Sequence, residues 1–281
     1  MKPSKFKELV YEKEKATGIV TVTMNMPKRK NAQSLYTFLE FWWAADAFTK
    51  DENAHAMIIT GARDPENPEP SKEAFSSGGY FSPDAYEGLE PEVMDQIDFA
   101  DIAQKRVVEK FWYVDKPVIA AINGLAIGGG ITLALGCCDL IYISKHAWIR
   151  FPFVRLGITP ELASSFLLPR LIGLQRTKEL FYFGEDISAQ YAFEMGLVNK
   201  VLPHEELLAY AREQALRLIP PNGPGMAVRL TKQILHRQLE PKVQRALDEE
   251  NIALGRSLQS ADFMEAITAR IEKRAPVFKG K

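Results

Sequence analysis

The sequence predicts an α/β core followed by a helical C-terminal segment, and three observations carry that prediction. Short β-branched runs alternate with helical periods as far as Gly157. Three consecutive glycines, Gly128, Gly129 and Gly130, join an apolar strand to an apolar helix. From Glu161 onward the signals are nearly all helical. With 281 residues, 46% of them hydrophobic, the chain can bury one large core, or a core with a smaller appendage. Such a composition is not that of a disordered chain.

In chain order, residues 9–24 (LVYEKEKATGIVTVTM) alternate apolar with polar around a glycine and predict a hairpin. Ser34 is an N-cap, after which Leu35, Phe38, Leu39, Trp42 and Ala45 recur at helical spacing. AMIITG, residues 56–61, is a buried strand. Residues 62–91 are rich in Pro, Gly, Ser and Glu without a period, which predicts a long surface loop of the kind that carries function. A helix over residues 100–113 precedes the strand KPVIAAI (116–122), a turn at Asn123-Gly124, the three glycines, and a buried helix in ITLALGCCD. LIYIS (140–144) is the next strand, followed by an irregular segment.

Thr159, Pro160 and Glu161 then read as the N-cap and first two positions of a helix. Gly184 and Gly196 read as helix-ending glycines, and Ser188 and Asp262 open further helices. The change of character near Ser188 divides the chain into a core, residues 1–187, and a helical segment, residues 188–281. There is no internal repeat of fixed period.

The charge balance excludes several classes of function. The 35 Lys and Arg against 36 Asp and Glu leave a net charge of -1, spread along the chain, so no basic field exists to hold a nucleic acid. The two cysteines, Cys137 and Cys138, are neighbours and fit neither a disulfide framework nor C-x-x-C, which predicts a reducing compartment. The four histidines are far apart, and no metal site is suggested. A charged N-terminus (MKPSKFKELVYEKEK) and the lack of a long apolar run predict a soluble, unexported, cytoplasmic protein without membrane attachment. The final FKGK is no lipidation signal.

Three glycines between a strand and a helix bring backbone close to a ligand and turn unpaired N–H groups toward it, or else make only a tight turn. AIGGGIT lacks the G-x-G-x-x-G spacing of a dinucleotide loop. A second cluster, FSSGGY, ends in Gly78-Gly79-Tyr80 and offers another N–H. Taken together the clusters suit an acyl thioester, whose oxygen needs two fixed donors when it becomes an enolate.

Here the sequence resembles the crotonase (enoyl-CoA hydratase/isomerase) superfamily over nearly its whole length. NMPKRKNA (25–32) is similar to the family's N-x-P-x-x-x-N-A, AFSSGG (74–79) to A-F-x-A-G-x-D, and KPVIAAINGLAIGGG to K-P-V-I-A-A-[IV]-x-G-x-A-x-G-G-G. GEDISAQYAFEMGLVNKV and SADFMEAITARIEKRAPVFKG resemble later family blocks. The resemblance implies the crotonase (ClpP-like) fold, a superhelix of ββα turns with a helical C-terminal segment that forms trimers, commonly paired as hexamers. It implies an oxyanion hole from the N–H groups of Gly79 and Gly129, with Tyr80 standing where the family has Asp. It also implies that Lys28, Arg29 and Ala32, with Phe278 and Lys279, lie near the coenzyme A nucleotide. Coenzyme A enters as part of the thioester substrate, and no separate cofactor is implied.

Both glutamates of the family's hydratases are replaced, by Thr132 after the glycines and by Phe153 in the later segment. GITPELASS (157–165) instead resembles the G-x-x-P-E-x-x-S-S of the Δ3,Δ2-enoyl-CoA isomerases, which makes Glu161 the single base for moving a proton from C2 to C4. An acid in a helix's first turn is also favoured without catalysis. As a base, Glu161 is expected to feel an apolar pocket that raises its pKa and a helix N-terminus that lowers it. The family's 4-chlorobenzoyl-CoA dehalogenases carry Asp here and need a His and a Trp. Phe153 at the Trp position and the lack of a His between His55 and His146 disfavour that chemistry. The aromatics Phe151, Phe153 and Phe166 read first as core packing. The alternatives are a hydratase or hydrolase using Glu161 alone, and a catalytically silent acyl-CoA binder.

Overall fold

The structure is a computed structural model that describes residues 1–281, the side chain of Pro83 excepted. β1 (Leu9–Lys13) and β2 (Ile19–Met24) form the expected antiparallel hairpin, Leu9 facing Met24. Ser34 then caps α1 (Leu35–Lys50). Its hydroxyl accepts the Thr37 N–H at 3.2 Å, and the Thr37 hydroxyl accepts the Ser34 N–H at 2.9 Å. β3 (Ala56–Gly61) follows.

The predicted long loop holds β4 (Ala74–Ser76), and the single-turn α2 (Pro91–Met94) begins where that loop ends. A three-residue strand leaves no measurable period, so nothing in the composition announced β4. The helix expected over 100–113 is shorter, α3 (Lys105–Trp112), because Asp101 caps it, its carboxylate accepting the Lys105 and Arg106 N–H groups at 2.7 and 2.9 Å. β5 (Val118–Ile122), β6 (Leu125–Ile127), α4 (Gly129–Cys137), β7 (Leu140–Ser144) and β8 (Trp148–Arg150) come next. The remaining elements are α5 (Ser164–Ile172), α6 (Leu174–Phe183), β9 (Ile187–Ser188), α7 (Ala189–Glu194), β10 (Lys200–Leu202), α8 (Leu207–Leu218), α9 (Gly225–Leu258) and α10 (Ala261–Ile271).

Six strands make one sheet in the order β1-β2-β3-β5-β7-β10, parallel after the hairpin, and four make a second in the order β4-β6-β8-β9. The large sheet is covered on both faces, which is why its central strands read as unbroken apolar runs. In β3, Met57 and Ile59 point into the main core with α1, α3 and α4, while Ala56 and Ile58 point to α8 and its Leu207, Ala211 and Ala215. Beyond position 187, β10 thus adds the sixth strand and α8 the outer layer, and α9 runs 34 residues across α3 and α5.

Buried polar groups tie the two sheets together. Asn123, in the β5–β6 turn, accepts the Gly61 N–H at 3.1 Å and donates to Glu73 at 2.9 Å. Glu73 also meets Arg63 at 3.2 Å and His204 at 3.1 Å. Among the described residues no helix is long and apolar enough to cross a membrane.

Candidate active site

The two glycine clusters meet. Gly78 has φ +88, and a side chain there would strike the Ile127 carbonyl at 2.7 Å and come 3.5 Å from the Gly129 nitrogen. Gly130 backs onto the Ser76 carbonyl, 2.5 Å from where its Cβ would be, so β4 and the start of α4 approach as closely as backbone allows. Among the described residues the N–H groups of Gly79 and Gly129 have no hydrogen-bond partner, while Gly128 N–H is taken by Arg150 O at 2.9 Å. The Gly79 loop is held by Gln33, whose N–H donates to Gly78 O and whose C=O accepts from Tyr80 N–H, both at 2.7 Å. Tyr80 turns its side chain outward to Asp84, beneath the Arg29 guanidinium at 4.3 Å, so the replaced family Asp leaves the loop backbone paired.

Glu161 reaches the same place from the other side, its Oε1 lying 3.0 Å from where a Cβ on Gly129 would be. It is not in a helix's first turn as expected, since α5 begins at Ser164. Leu162 and Ala163 adopt left-handed conformations, with φ 56 and 59. Such backbone costs roughly 1–2 kcal/mol per non-glycine residue, and the surroundings hold it. Leu162 N–H donates to Ala103 O at 3.2 Å. Glu250 of α9 accepts the Ala163 and Ser165 N–H groups at 2.8 and 2.9 Å. The next residue, Asn251, accepts the Ala103 N–H at 2.7 Å, so one turn of α9 secures both strands of this support.

Burial pushes the Glu161 carboxyl from its ordinary 4.5 up to about 8, and the like charge of Glu250 adds to the rise. Glu250 is itself raised by burial, a rise that the Ser165 and Ala163 groups it accepts oppose. The lowering expected from a helix N-terminus is absent, because the helix starts three residues later.

The hydratase positions hold no acid. Thr132 is buried and donates to Gly128 O at 3.1 Å, and Phe153 packs edge-on against Phe181, with centroids 5.9 Å apart. Phe151 also packs on Phe181, whereas Phe166 is capped by Arg170. A hollow of about 710 Å³ beside α6 and α7, lined by Glu179, Phe183 and Tyr191 among others, includes none of the residues around Gly129.

Asn31 knots the NMPKRKNA segment, accepting the Met26 N–H at 2.9 Å and donating to Ala62 O and Ala74 O at 3.1 and 2.8 Å. This seats Ala32 in the core and fixes the turn that carries Lys28 and Arg29. Lys28 is open and pairs loosely with Glu66 at 3.7 Å, whereas Arg29 is bound to Glu8 and to Ala32 O. Phe278 is half exposed, and the Lys279 N–H donates to Asp262 at 2.6 Å beside the start of α10. No hydrogen bond or ion pair among the described residues joins this tail to Lys28, Arg29 or Ala32. Gln33 and Glu250 are the site residues that sequence reasoning missed. The only sign of Gln33 was a polar residue between an Asn-Ala pair and an apolar helix.

Residues 14–281 match the family described as enoyl-CoA hydratase/isomerase. The chain belongs to that family. It is similar to a crotonyl-CoA hydratase of Syntrophomonas wolfei, 34% identical with 98% of this chain and 99% of that protein covered. A short-chain-enoyl-CoA hydratase of Clostridium acetobutylicum is also 34% identical, with 93% and 94% covered. Among solved structures, an enoyl-CoA hydratase/isomerase of Pseudoalteromonas atlantica superposes with a TM-score of 0.81 at 27% identity, covering 97% of this chain and 100% of that one. The family match and this superposition bear out the crotonase fold and the expectation of an enzyme of this family.

Proposed function

We propose that this family member isomerises 3-enoyl-CoA thioesters to 2-enoyl-CoA, with Glu161 as the proton shuttle. The observation that carries the reading is the Glu161 carboxyl beside Gly129, its pKa pushed up to about 8, near the pH at which a shuttle both accepts and returns a proton. Glu161 takes the proton from C2, and the electron pair moves onto the thioester oxygen while the N–H groups of Gly79 and Gly129 hold the dienolate. The same proton returns at C4, so the double bond ends between C2 and C3 and nothing is gained or lost. Two such donors together supply several kcal/mol of selective stabilisation, each about 3 kcal/mol.

Coenzyme A enters as part of the thioester, near Lys28, Arg29 and Ala32, with Phe278 and Lys279 from this or a neighbouring copy. The large apolar side chains that α9 leaves exposed support a homotrimer or homohexamer. The two unpaired cysteines support a cytoplasmic setting.

The test is conversion of 3-hexenoyl-CoA, followed by the absorbance of the conjugated product, by the parent and by Glu161→Gln. Conversion by the parent alone supports the reading, and no conversion with acyl-CoA binding intact sinks it. The names of the relatives favour a second reading, water addition to a 2-enoyl thioester, and turnover of crotonyl-CoA separates the two.

A further inference from the structure

Gln33 is buried, 2% exposed, and its amide oxygen has no hydrogen-bond partner among the described residues. Its amide nitrogen meets the Met24 sulfur at 3.3 Å. A thioether accepts and does not donate, so the nitrogen belongs on that side and the oxygen faces the site. There it shares a corner with Glu161. Gln33 Oε1 and Glu161 Oε1 lie 3.1 and 3.0 Å from the one point where a Cβ on Gly129 would stand. The Gln33 backbone is pinned on both sides to the Gly79 loop, so the side chain issues from a fixed stem.

Leaving a buried acceptor unsatisfied is costly, and a donor brought by the ligand removes that cost. A protonated carboxyl and an amide oxygen in one corner fit an O–H group. With a ligand hydroxyl the carboxyl donates to the hydroxyl oxygen, and the hydroxyl hydrogen goes to the amide. We propose that Gln33 accepts a hydrogen bond from an O–H at the reacting end of the acyl group, so that the site takes thioesters with a hydroxyl at C3, or water beside an enoyl thioester. The inference rests on the reading of Gly79 and Gly129 as the cradle of the thioester oxygen. In the water case one hydrogen of the water stays on the Gln33 amide, its oxygen bonds to C3, its other proton passes to one oxygen of the Glu161 carboxyl, and the other carboxyl oxygen gives its proton to C2, so Glu161 ends as it began.

The experiment compares parent and Gln33→Leu by calorimetry with 3-hydroxybutyryl-CoA and butyryl-CoA, and by hydration of crotonyl-CoA. If the donor is a ligand hydroxyl, the parent prefers the hydroxyacyl thioester by about tenfold, and the variant binds the two alike. If the donor is water, the parent hydrates crotonyl-CoA and the variant does so at least about tenfold more slowly. The inference is overturned if the variant keeps whatever preference and hydration the parent has, or if the parent shows neither. Should the parent bind neither thioester, the acyl-CoA reading falls first and takes this one with it. Gln33→Met, close in shape, replaces the leucine variant if that one does not fold.

Discussion

A carboxyl that ionises at about 8 in the folded chain and near 4.5 when free is a liability to the fold as well as an asset to chemistry. Below the free value, folded and unfolded chains both hold the proton and Glu161 costs nothing. As pH rises from 4.5 toward 8, the unfolded chain gives up a proton that the folded one keeps, so stability falls across that window; above it the loss is complete. Glu161→Gln removes the ionisable carboxyl. The variant is therefore expected to lie close to the parent in melting temperature at pH 5 and to exceed it at pH 9, by up to ~5 kcal/mol, while losing turnover. Melting curves at the two pH values check this, and an equal difference at both would show that the buried charge is not the cause. At this scale the sequence was legible in so far as its motifs named residues, Glu161 and the glycines, that the fold brings together. Gln33 and Glu250 were not, because a side chain's burial and an unpaired oxygen exist only after the chain has folded. Glu250 follows Glu249 in a helical pattern, yet Glu249 is exposed on a pair with Arg245 while Glu250 is buried beneath the Glu161 turn.

At the level of elements, the parts with a clear period were legible: the opening hairpin, α1 with its Ser34 cap, and the central strands β3, β5 and β7. The second sheet was not, because β4, β8 and β9 are two or three residues long and pair through neighbours far away in sequence. The start of α5 was misread for a related reason. Thr159-Pro160-Glu161 has the composition of a helix start, but the N–H groups that would begin it are claimed by Ala103 and by α9. α9 therefore holds the Glu161 turn from a distance. Glu250→Gln leaves a shape of the same size with a donor where one of two acceptors stood, so one of the Ala163 and Ser165 bonds is lost. With the turn loosened, kcat for the 3-enoyl substrate is expected to fall roughly 10- to 100-fold with little change in KM. With the neighbouring charge gone, the pKa of Glu161 is expected to fall as well. A pH–rate profile, or a carbon-13 titration of the Glu161 carboxyl that needs no substrate, reads the second effect. A helix that merely packed would leave that titration where it was.

For the whole molecule the decisive feature is how α9 divides its surface. One side is fastened to the core along its length. Lys232 donates to Asp139 and to Lys116 O at 2.8 and 2.9 Å, His236 stacks on Trp112 at 4.4 Å, and Val243, Leu247 and Leu254 are buried. Another side carries Met226, Leu230 and Ile234 at intervals of four, which sets them in one stripe, and they are 79%, 51% and 60% exposed. Burying such a side chain is worth about 1.5–3 kcal/mol, so a stripe repeated on several copies outweighs the entropy of association only if the copies share it. Single apolar residues on a surface need no partner, whereas a row on a rigid helix does. The parent is therefore expected to run as a trimer or hexamer by light scattering, and the double substitution Leu230→Glu, Ile234→Lys to shift it toward monomer with its far-ultraviolet circular dichroism retained. If Phe278 and Lys279 serve a neighbouring copy, that monomer also binds coenzyme A thioesters more weakly while the Gly79, Gly129 and Glu161 corner is unaltered. A parent that scatters as a monomer would leave the stripe without an occupant and require the tail of its own chain to close the nucleotide site.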